Sequence, residues 1–541
     1  MQSITSTHLF KFLKREGFIE MKSLFYLSMV VALIGTLLVA LISIAATNVG
    51  TDKPITFLFF FYLALLILFW RYSKEANRKN VQQGQVMVHK FILRMMRVVL
   101  QTELLNYEKI GATSVLNAIG REAQVLSTSI PLLVGAFTSL SIVIFLIIYT
   151  AFISFTAFVI LSISTLIIFL ITSRALMVSH RNIMKAWQGE TVNFSLYNDF
   201  LFGFQEIKVN TERSKAITSE LIQLTKKSLK EKTDALVDIT NFFAFLQTML
   251  YILIGIMVFV VPMLSEHFGN DITQVATTTL FLVSSLSATI QIIPSISQAN
   301  VSAMHLLLIE EELKKEANGF IDQISIDEKI ESITLENILF DYKQSENTSN
   351  FTLGPINFHF AKGKIYFIRG SNGSGKTTLL RLLVGLIQPE HGTVSVNGKK
   401  LTKNMLEAYR NKFAIVFNNF YLFKKLYGIA NYEDKYFDEI LSLMEMKEKV
   451  SIDRGQFSDL KLSTGQRKRI ALMVALFENK DFIILDEWAA DQDPEFRKKF
   501  YTKILPMLKN QGKTIIALTH DDAYYDVADK IIVLDNGKMA P

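Results

Sequence analysis

The 541-residue chain contains no cysteine, so several kinds of chemistry are excluded at the outset. Disulfide bridges, thiolate metal sites and cysteine nucleophiles all need a residue that the sequence does not have. Its 8 histidines are scattered, and no two of them show the HxxxH or HExxH spacing of a transition-metal site. We therefore expect no transition-metal chemistry from this chain.

Ionisable residues are also absent from six long apolar segments in the N-terminal part. These segments run over residues 24–46, 55–70, 130–149, 152–172, 242–264 and 272–294. Their length predicts helices that cross the roughly 30 Å hydrocarbon core of a membrane. Proton relays and ion-coupled transporters normally keep an ionisable residue at membrane depth, so the sequence argues against both.

Basic residues are concentrated on one side of these segments. The connections 47–54, 150–151 and 265–271 contain one, Lys53, whereas the opposite ends contain many. These are Lys11, Lys14, Arg15, Lys22, Arg71, Lys74, Arg78, Lys79, Arg174 and Arg181. The positive-inside rule therefore predicts cytoplasmic termini, and it explains the formal net charge of +7 without a nucleic-acid partner.

A phosphate-binding loop is the clearest motif in the C-terminal part. The segment GSNGSGKTT matches GxxxxGKT and lies between an apolar strand, 365–368, and a helical run, 379–386. Its candidate nucleotide-binding residues are Gly370, Ser371, Asn372, Gly373, Ser374, Gly375, Lys376, Thr377 and Thr378. Lys376 is expected to reach the β- and γ-phosphates of ATP, and Thr377 to offer its hydroxyl to Mg²⁺.

Three further motifs follow the loop in a fixed order. The first is LSTGQ, at 462–466, which begins a helical pattern. The second is an apolar strand, 482–485, that ends in Asp486 and Glu487. The third is another strand, 514–518, which is followed by His520. Taken singly, each could be a glycine-rich turn, a helix cap or a solvated acidic pair. Together with the phosphate loop, their order resembles the ATP-binding cassette (ABC) ATPases.

This resemblance implies roles in hydrolysis. Asp486 would support Mg²⁺, Glu487 would be the general base that orients the attacking water, and His520 would contact the γ-phosphate. Asn418 stands where these ATPases usually have the glutamine that reaches Mg²⁺ and the water. The shorter side chain either coordinates the metal directly or reaches it through a water, and we expect the second.

The resemblance also implies how the nucleotide is enclosed. Tyr342 is similar to the aromatic residue that stacks on adenine, with a strand-edge tyrosine as the alternative. Ser463, Gly465 and Gln466 belong to the signature, which in ABC proteins closes on the nucleotide held by a partner. The chain is therefore expected to work as a homodimer.

Two polar stretches, 71–129 and 173–241, lack proline and are too long for simple connections. They predict helices that extend the spans and turn back near Gly111 and Gly203. Such extensions resemble the exporter class of half-transporters. On that resemblance the segments 106–118 and 190–204 would be coupling helices, with ordinary solvated hairpins as the alternative.

The predicted fold is multi-domain, with a six-helix α transmembrane domain of the ABC exporter type and a C-terminal α/β P-loop ABC ATPase domain. The predicted divisions are an amphipathic N-terminal elbow (1–23), the transmembrane domain with long cytoplasmic helices (24–294), a linker (295–330) and the nucleotide-binding domain (331–541). The elbow is expected at the cytoplasmic membrane surface, with a frayed tail as the alternative.

The segments DEWAADQDP (486–494) and GFQEIKVN (203–210), and the short insert between Asn418 and Ser463, are similar to bacterial cyclic-peptide and siderophore-peptide exporters. This similarity implies ATP-driven export of a small peptide-like molecule across the bacterial inner (cytoplasmic) membrane. A lipid or glycolipid flippase, and an ATP-gated channel or regulator, remain alternatives. In the last span, Gln274, Thr277, Ser284, Ser287 and Gln291 share one helical face, which predicts either a pathway lining or interhelical hydrogen bonding.

Overall fold

The computed structural model describes residues 8–48, 56–264, 272–315, 324–326, 328–342, 351–429 and 434–540. The chain forms two compact units. The first unit comprises Met1–Leu100 and Tyr107–Lys315, and the second comprises Gln101–Asn106 and Glu316–Pro541. The helix that continues beyond the last predicted span belongs to the first unit, so the region expected as a linker from residue 295 is helical as far as Lys314.

Helices make up the described part of the first unit, and four of them are longer than 40 residues. They are α1 (His8–Asn48), α2 (Thr56–Gln101), α3 (Leu104–Ile110), α4 (Ala112–Asn117), α5 (Ala123–Ile153), α6 (Phe155–Phe202), α7 (Phe204–Val209), α8 (Thr211–Gly255), α9 (Val261–Leu264), α10 (Ile272–Gln291) and α11 (Ile293–Lys314). Single π-helical stretches, Ala118–Glu122 and Ile256–Val260, lead into α5 and α9. Helix α1 packs on α5, α10 and α11, and α6 packs on α8.

Five helical stretches among the described residues are long and apolar enough to cross a membrane. They are Lys22–Asn48, Thr56–Gln101, Ala112–Ile153, Thr211–Met263 and Ile272–Lys314. The fourth predicted span corresponds to Phe155–Ile171 of α6, which is apolar but shorter within the described residues. Of the predicted connection 47–54, Thr47 and Asn48 end α1 and the other residues lie outside the described ones, as does the predicted connection 265–271. The chain is thus a multi-pass membrane protein.

One connection between spans differs in position from the prediction. The sequence places it at residues 150–151, but α5 continues to Ile153 and the break falls at Ser154. Ser154 has an extended backbone, and its side chain accepts a hydrogen bond from the Ala157 N–H at 3.4 Å. The break moves because a serine can cap the first turn of α6, whereas Thr150 and Ala151 continue α5.

Both glycines expected at turns lie between helices. Gly111 separates α3 from α4 with φ 81°, and Gly203 separates α6 from α7. A Cβ atom at Gly203 would lie 2.7 Å from the backbone oxygen of Asp199, so the close approach of the chain requires glycine there. Residues 101–106 belong to the second unit, where Leu104 and Leu105 pack against its apolar core. Part of the other expected coupling segment, 190–195, lies outside the residues whose side chains are described.

The amphipathic start of the chain is not a separate element, because α1 is continuous from His8 into the first span. Its apolar residues Leu9, Phe12 and Leu13 are buried against Phe91 and Met95 of α2 and against α11. Protein therefore covers the face that was expected to lie on the membrane surface. The sequence pattern alone does not distinguish these two apolar environments.

A buried carboxylate joins three helices at this end of the first unit. Glu310 of α11, with 1% of its side chain exposed, lies 2.5 Å from Arg15, 3.1 Å from Arg94 and 2.6 Å from Lys314. Arg94 also binds Glu16. Removing one partner from such a buried cluster leaves an uncompensated charge, so this cluster ties α1 and α2 to α11.

The second unit contains two main sheets. The antiparallel sheet has the order β2–β1–β4–β5, and the larger sheet has the order β12–β11–β3–β10–β9–β6. The strands are β1 (Ser332–Asp341), β2 (Thr352–Ala361), β3 (Ile365–Gly370), β4 (His391–Val396), β5 (Lys399–Lys400), β6 (Phe413–Val416), β9 (Phe482–Asp486), β10 (Thr514–Leu518), β11 (Lys530–Asp535) and β12 (Lys538–Met539), with a small hairpin of β7 (Ile452–Asp453) and β8 (Gln456–Phe457). The helices are α12 (Lys376–Leu383), α13 (Leu406–Arg410), α14 (Asp434–Leu443), α15 (Thr464–Phe477), α16 (Pro494–Lys499) and α17 (Leu505–Asn510).

Both faces of the larger sheet are covered, which explains why its strands are short continuous apolar runs. In β3, Ile365 and Phe367 face the core that contains α15, whereas Tyr366 and Ile368 face the core that contains α12. Strands β11, β3, β10, β9 and β6 are parallel, so their carboxyl ends meet at one edge. That edge is where ligands bind in open α/β sheets.

Candidate active site

Four motifs that are far apart in the sequence converge at the carboxyl edge of the larger sheet. The phosphate loop follows β3, Asp486 ends β9, His520 follows β10 and Asn418 follows β6. Because these strands are neighbours in the order β3–β10–β9–β6, the residues after them are brought together by the sheet itself. The sheet thus builds the site that the order of motifs predicts.

The phosphate loop has a backbone that requires glycine. Gly370 has φ 156°, and a Cβ atom there would lie 2.2 Å from the backbone oxygen of Leu534. Gly375 has φ 96°, and a Cβ atom there would lie 2.7 Å from Leu353. Helix α12 begins at the next residue, Lys376, so the loop presents a helix N-terminus that favours an anion.

A cavity of about 650 Å³ lies over this loop. Its lining consists of Tyr342, Phe351, Asn372, Gly373, Ser374, Gly375, Lys376, Thr377, Thr378 and Glu487. It therefore unites Tyr342, most of the phosphate loop and Thr377 with the candidate general base, whereas Asp486, Asn418 and His520 are not part of its described lining. Lys376 is buried, and its ammonium donates to the backbone oxygens of Gly370 at 2.8 Å and Ser371 at 3.1 Å.

Two aromatic residues line the cavity, and one of them was not identified from the sequence. The Tyr342 hydroxyl lies 3.4 Å from the Thr378 hydroxyl, and the Tyr342 ring packs edge-on against Phe340. Phe351 lies beside it because the Tyr342 N–H donates to the Phe351 carbonyl at 3.2 Å. The pairing of β1 with β2 is the signal that could have identified Phe351, since it aligns the ends of both strands.

Asp486 is suited to a divalent cation. Only 2% of the residue is exposed, and its Oδ1 atom has no hydrogen-bond partner in the described part of the chain. Burial raises the pKa of Asp486, and the Asn418 N–H, 3.5 Å from Oδ2, opposes that effect. A cation would favour the charged form and supply the missing partner. The buried Asp486 carboxylate and the exposed hydroxyl residue Thr377, which lines the cavity, are oxygen ligands of the kind that fit Mg²⁺.

The Glu487 carboxylate lies close to the side chains of Lys376, His520 and Asn418. Its Oε1 atom lies 3.9 Å from the Lys376 ammonium and 3.5 Å from Nε2 of His520, and its Oε2 atom accepts from the Asn418 amide at 3.4 Å. Its backbone is left-handed, with φ 49° and ψ 35°. Such a conformation costs about 1–3 kcal/mol in a residue with a side chain and is concentrated at functional sites.

The signature residues lie apart from this cavity and organise a helix. Ser463 caps α15 by accepting from the Gln466 N–H, and the Ser463 N–H in turn donates to the Oε1 atom of the Gln466 side chain. A Cβ atom at Gly465 would lie 2.5 Å from the backbone oxygen of Asp491, so only glycine allows this approach. None of the three lines the cavity over the phosphate loop in the described residues.

The sequence is similar to those of known ATP-binding transport proteins. Residues 353–490 match the family model described as ABC transporter. The chain is 28% identical over 496 residues to the ATP-binding protein SyrD of Pseudomonas syringae pv. syringae, covering 88% of this chain and 87% of SyrD. It is 33% identical over 218 residues to the energy-coupling factor transporter ATP-binding protein EcfA1 of Streptococcus agalactiae, covering 38% of this chain and 77% of EcfA1.

A solved structure of a bacterial Atm1-family ABC exporter with ATP bound has the same fold, with a TM-score of 0.76. The match covers 98% of this chain and 95% of the exporter at 16% sequence identity. It therefore includes the helical unit as well as the nucleotide unit. Tyr342 and His520 lie outside the range of the family model but inside the folded unit that carries the site.

Proposed function

The chain belongs to the ABC transporter family, as an ATP-hydrolysing half-transporter of the exporter class, and we propose that it exports a small peptide-like molecule across the bacterial cytoplasmic membrane. The observation that carries the ATP-driven part of this proposal is the cavity shared by Tyr342, the phosphate loop and Glu487, and the peptide-like cargo rests on the resemblance of segments 486–494 and 203–210 to peptide exporters. The same chain supplies the apolar helices that a transport pathway needs.

The loop residues 370–378, which include Lys376, bind the phosphates of ATP, and Tyr342 stacks on adenine. Thr377 and Asp486 hold Mg²⁺, for which the unpartnered Oδ1 atom of Asp486 is the supporting observation. The metal would supply positive charge that offsets the charge of the phosphates. Asn418, one methylene shorter than glutamine, would reach it through a water, while its Oδ1 atom accepts from Lys468 at 3.3 Å.

Hydrolysis requires that a water lose a proton as it attacks the γ-phosphate. Glu487 takes that proton, since its carboxylate is 28% exposed and lies between the phosphate-loop lysine and His520. His520 and Lys376 offer hydrogen bonds to the phosphoryl oxygens, on which negative charge is spread in the transition state. The Asn418 amide holds the Glu487 carboxylate in position.

A second copy of the chain completes each site. Ser463 is exposed at the N-terminus of α15, where backbone N–H groups favour an anion, yet it does not line the cavity of its own chain among the described residues. The signature of one copy therefore closes on the nucleotide held by the other, and two equivalent sites form in a homodimer. Both termini and the ATPase face the cytoplasm, in keeping with the basic residues beside the spans.

Uptake into inverted membrane vesicles tests the direction of transport. Vesicles that contain the full chain are given ATP and a mixture of short linear and cyclic peptides, and the contents are identified by mass spectrometry. We expect ATP-dependent accumulation that is lost in Glu487→Gln. ATP-dependent movement of labelled phospholipid headgroups without peptide uptake would replace peptide export with lipid flipping. Ion flux in the absence of both would indicate an ATP-gated channel.

A further inference from the structure

A buried lysine outside the expected set of site residues contacts the hydrolytic end of the cavity. Lys468 lies in α15, and only 2% of its side chain is exposed. Its ammonium donates to the Asn418 Oδ1 atom at 3.3 Å and to the Glu487 carbonyl at 2.9 Å, and it lies 2.7 Å from the Asp491 carboxylate. The three N–H donors of the ammonium thus have three acceptors.

The three acceptors belong to different segments of the nucleotide unit. Asn418 follows β6, Glu487 follows β9, and Asp491 lies in the 3₁₀ turn Trp488–Asp491. The backbone of Lys468 is also held, because its carbonyl accepts from the Trp488 indole N–H at 2.7 Å. Lys468 therefore joins the signature helix to the loops that carry the proposed base and its amide neighbour.

This contact determines which way the Asn418 amide points. An ammonium has only donors, so the oxygen of the amide must face Lys468. The amide nitrogen then faces the Glu487 carboxylate at 3.4 Å, where an ionised carboxylate can only accept. Without the ammonium, a flipped amide would turn its oxygen towards a carboxylate oxygen, and the two acceptors would repel.

The charge of Lys468 has a specific partner. Asp491 is 43% exposed and compensates the buried ammonium, so the pair does not leave an isolated buried charge. If Lys468 were a solvated lysine of the sequence RKR, it would make none of these contacts. The three contacts with Asn418, Glu487 and Asp491 indicate that a compact ammonium, rather than a planar guanidinium, suits this position.

We propose that Lys468 is a positioning residue for ATP hydrolysis, which orients the Asn418 amide and holds the backbone of Glu487. The inference rests on the proposed role of Glu487 as general base. Among the described residues, Lys468 makes no hydrogen bond to the phosphate loop, and its one hydrogen bond to the cavity lining is to the backbone oxygen of Glu487. Its loss should therefore lower kcat and leave ATP binding largely intact.

The test is a set of ATPase measurements on the purified full chain in lipid nanodiscs, with Lys468→Met, Asn418→Ala and the double substitution. We expect Lys468→Met to lower kcat by about 10- to 100-fold, the range for a small misplacement of reacting groups, and to change KM for ATP by less than about 3-fold. The double variant should lose less kcat than the product of the two single losses, because both single changes remove the contact between Lys468 and Asn418.

Lys509→Met is the matched control. It removes a lysine whose ammonium lies 2.6 Å from Asp529, away from the cavity, and kcat should stay within about 2-fold of the wild type. Lys468→Gln is measured in parallel, because it keeps an N–H donor and avoids an apolar side chain beside Asp491. Its kcat should lie between those of Lys468→Met and the wild type.

Three results would overturn the proposal. The first is a Lys468→Met or Lys468→Gln enzyme with wild-type kcat. The second is a multiplicative loss of kcat in the double variant. The third is a joint fall of kcat, ATP affinity and melting temperature in Lys468→Gln, or its failure to fold, which would identify a purely structural ion pair. Glu487→Gln, assayed alongside, separates the two proposals, since normal turnover in that variant rejects Glu487 as the base independently of Lys468.

Discussion

Polar side chains are used differently in the helical unit and in the nucleotide unit. In the helical unit many hydroxyl groups donate to a carbonyl of their own helix, as Thr150 does to Leu146 and Thr279 does to Val275. In the nucleotide unit, polar side chains bridge segments far apart in the chain, as Lys468 and Asn418 do. A hydroxyl group that donates to its own helix leaves the helix surface apolar. Hydrogen bonds between segments that are far apart in the chain instead bring several functional groups together at one site.

The comparison implies that single substitutions will have large effects on hydrolysis at the carboxyl edge of the sheet and small effects at the polar residues of the apolar helices, outside the Glu310 cluster. The largest effect is expected at Glu487. Glu487→Gln should bind ATP but hydrolyse it at least ~100-fold more slowly, within the usual range of general-base catalysis. Phosphate release from purified protein measures the rate, and retained binding of radiolabelled ATP shows that the site is intact. Near-normal turnover would remove Glu487 from this role.

The next largest effect concerns the aromatic end of the cavity. Tyr342→Ala should raise KM for ATP about 10-fold, because stacking of a base on an aromatic side chain contributes about 1–3 kcal/mol. Tyr342→Phe keeps the ring and should stay close to the wild type. Phe351→Ala tests whether the second aromatic residue shares this contact. A lower melting temperature with unchanged KM in Tyr342→Ala would favour a strand-edge tyrosine.

A smaller change is expected at Asn418. The present asparagine should allow measurable ATPase without a transported molecule, and Asn418→Gln should raise the ratio of stimulated to basal hydrolysis by a few-fold. The longer side chain regains about 1.5 Å of reach, one C–C bond. The stimulant is the compound that accumulates in inverted vesicles. A structure with Mg²⁺ and ATP in which Asn418 oxygen contacts the metal at about 2.1 Å would contradict the water-mediated contact.

The smallest effect is expected in α10, where the two ends of the polar face differ. Gln274 donates to the Thr47 hydroxyl of α1 at 3.2 Å, whereas Gln291 is exposed at the other end. Gln274→Leu should lower stability by about 0.6 kcal/mol, the average for a hydrogen bond between membrane helices. Gln291→Leu should leave stability unchanged and weaken stimulation of the ATPase. Equal losses of stability and basal activity in both variants would show that the whole face is packing.

The sequence predicted which motifs would lie close together, because these motifs follow short buried strands. The predicted strand 514–518 coincides with β10, and His520, Asp486 and Glu487 lie at the sheet edge that such strands produce. A parallel sheet brings the ends of neighbouring strands together, so local motifs are enough to predict a shared site.

Residues whose role depends on distant contacts were not found in this way. In the sequence, Lys468 is one of three consecutive basic residues, RKR, a pattern typical of a solvated surface. In the structure it is buried beside Asn418. Phe351 was missed because its place depends on strand pairing. The apolar face of residues 8–16 was assigned to the membrane surface because lipid and a protein core select the same amphipathic pattern.

The most direct test of the account is whether the signature of one copy serves the phosphate loop of another. Lys376→Ala and Ser463→Arg chains with different tags are co-expressed, and the mixed species is isolated by two affinity steps. Each variant alone should be nearly inactive, whereas the mixed species retains one intact site and should recover up to about half of the wild-type ATPase, as a symmetric pair of sites requires. No recovery in the mixed species, or wild-type activity of Ser463→Arg alone, would contradict a site shared between two copies.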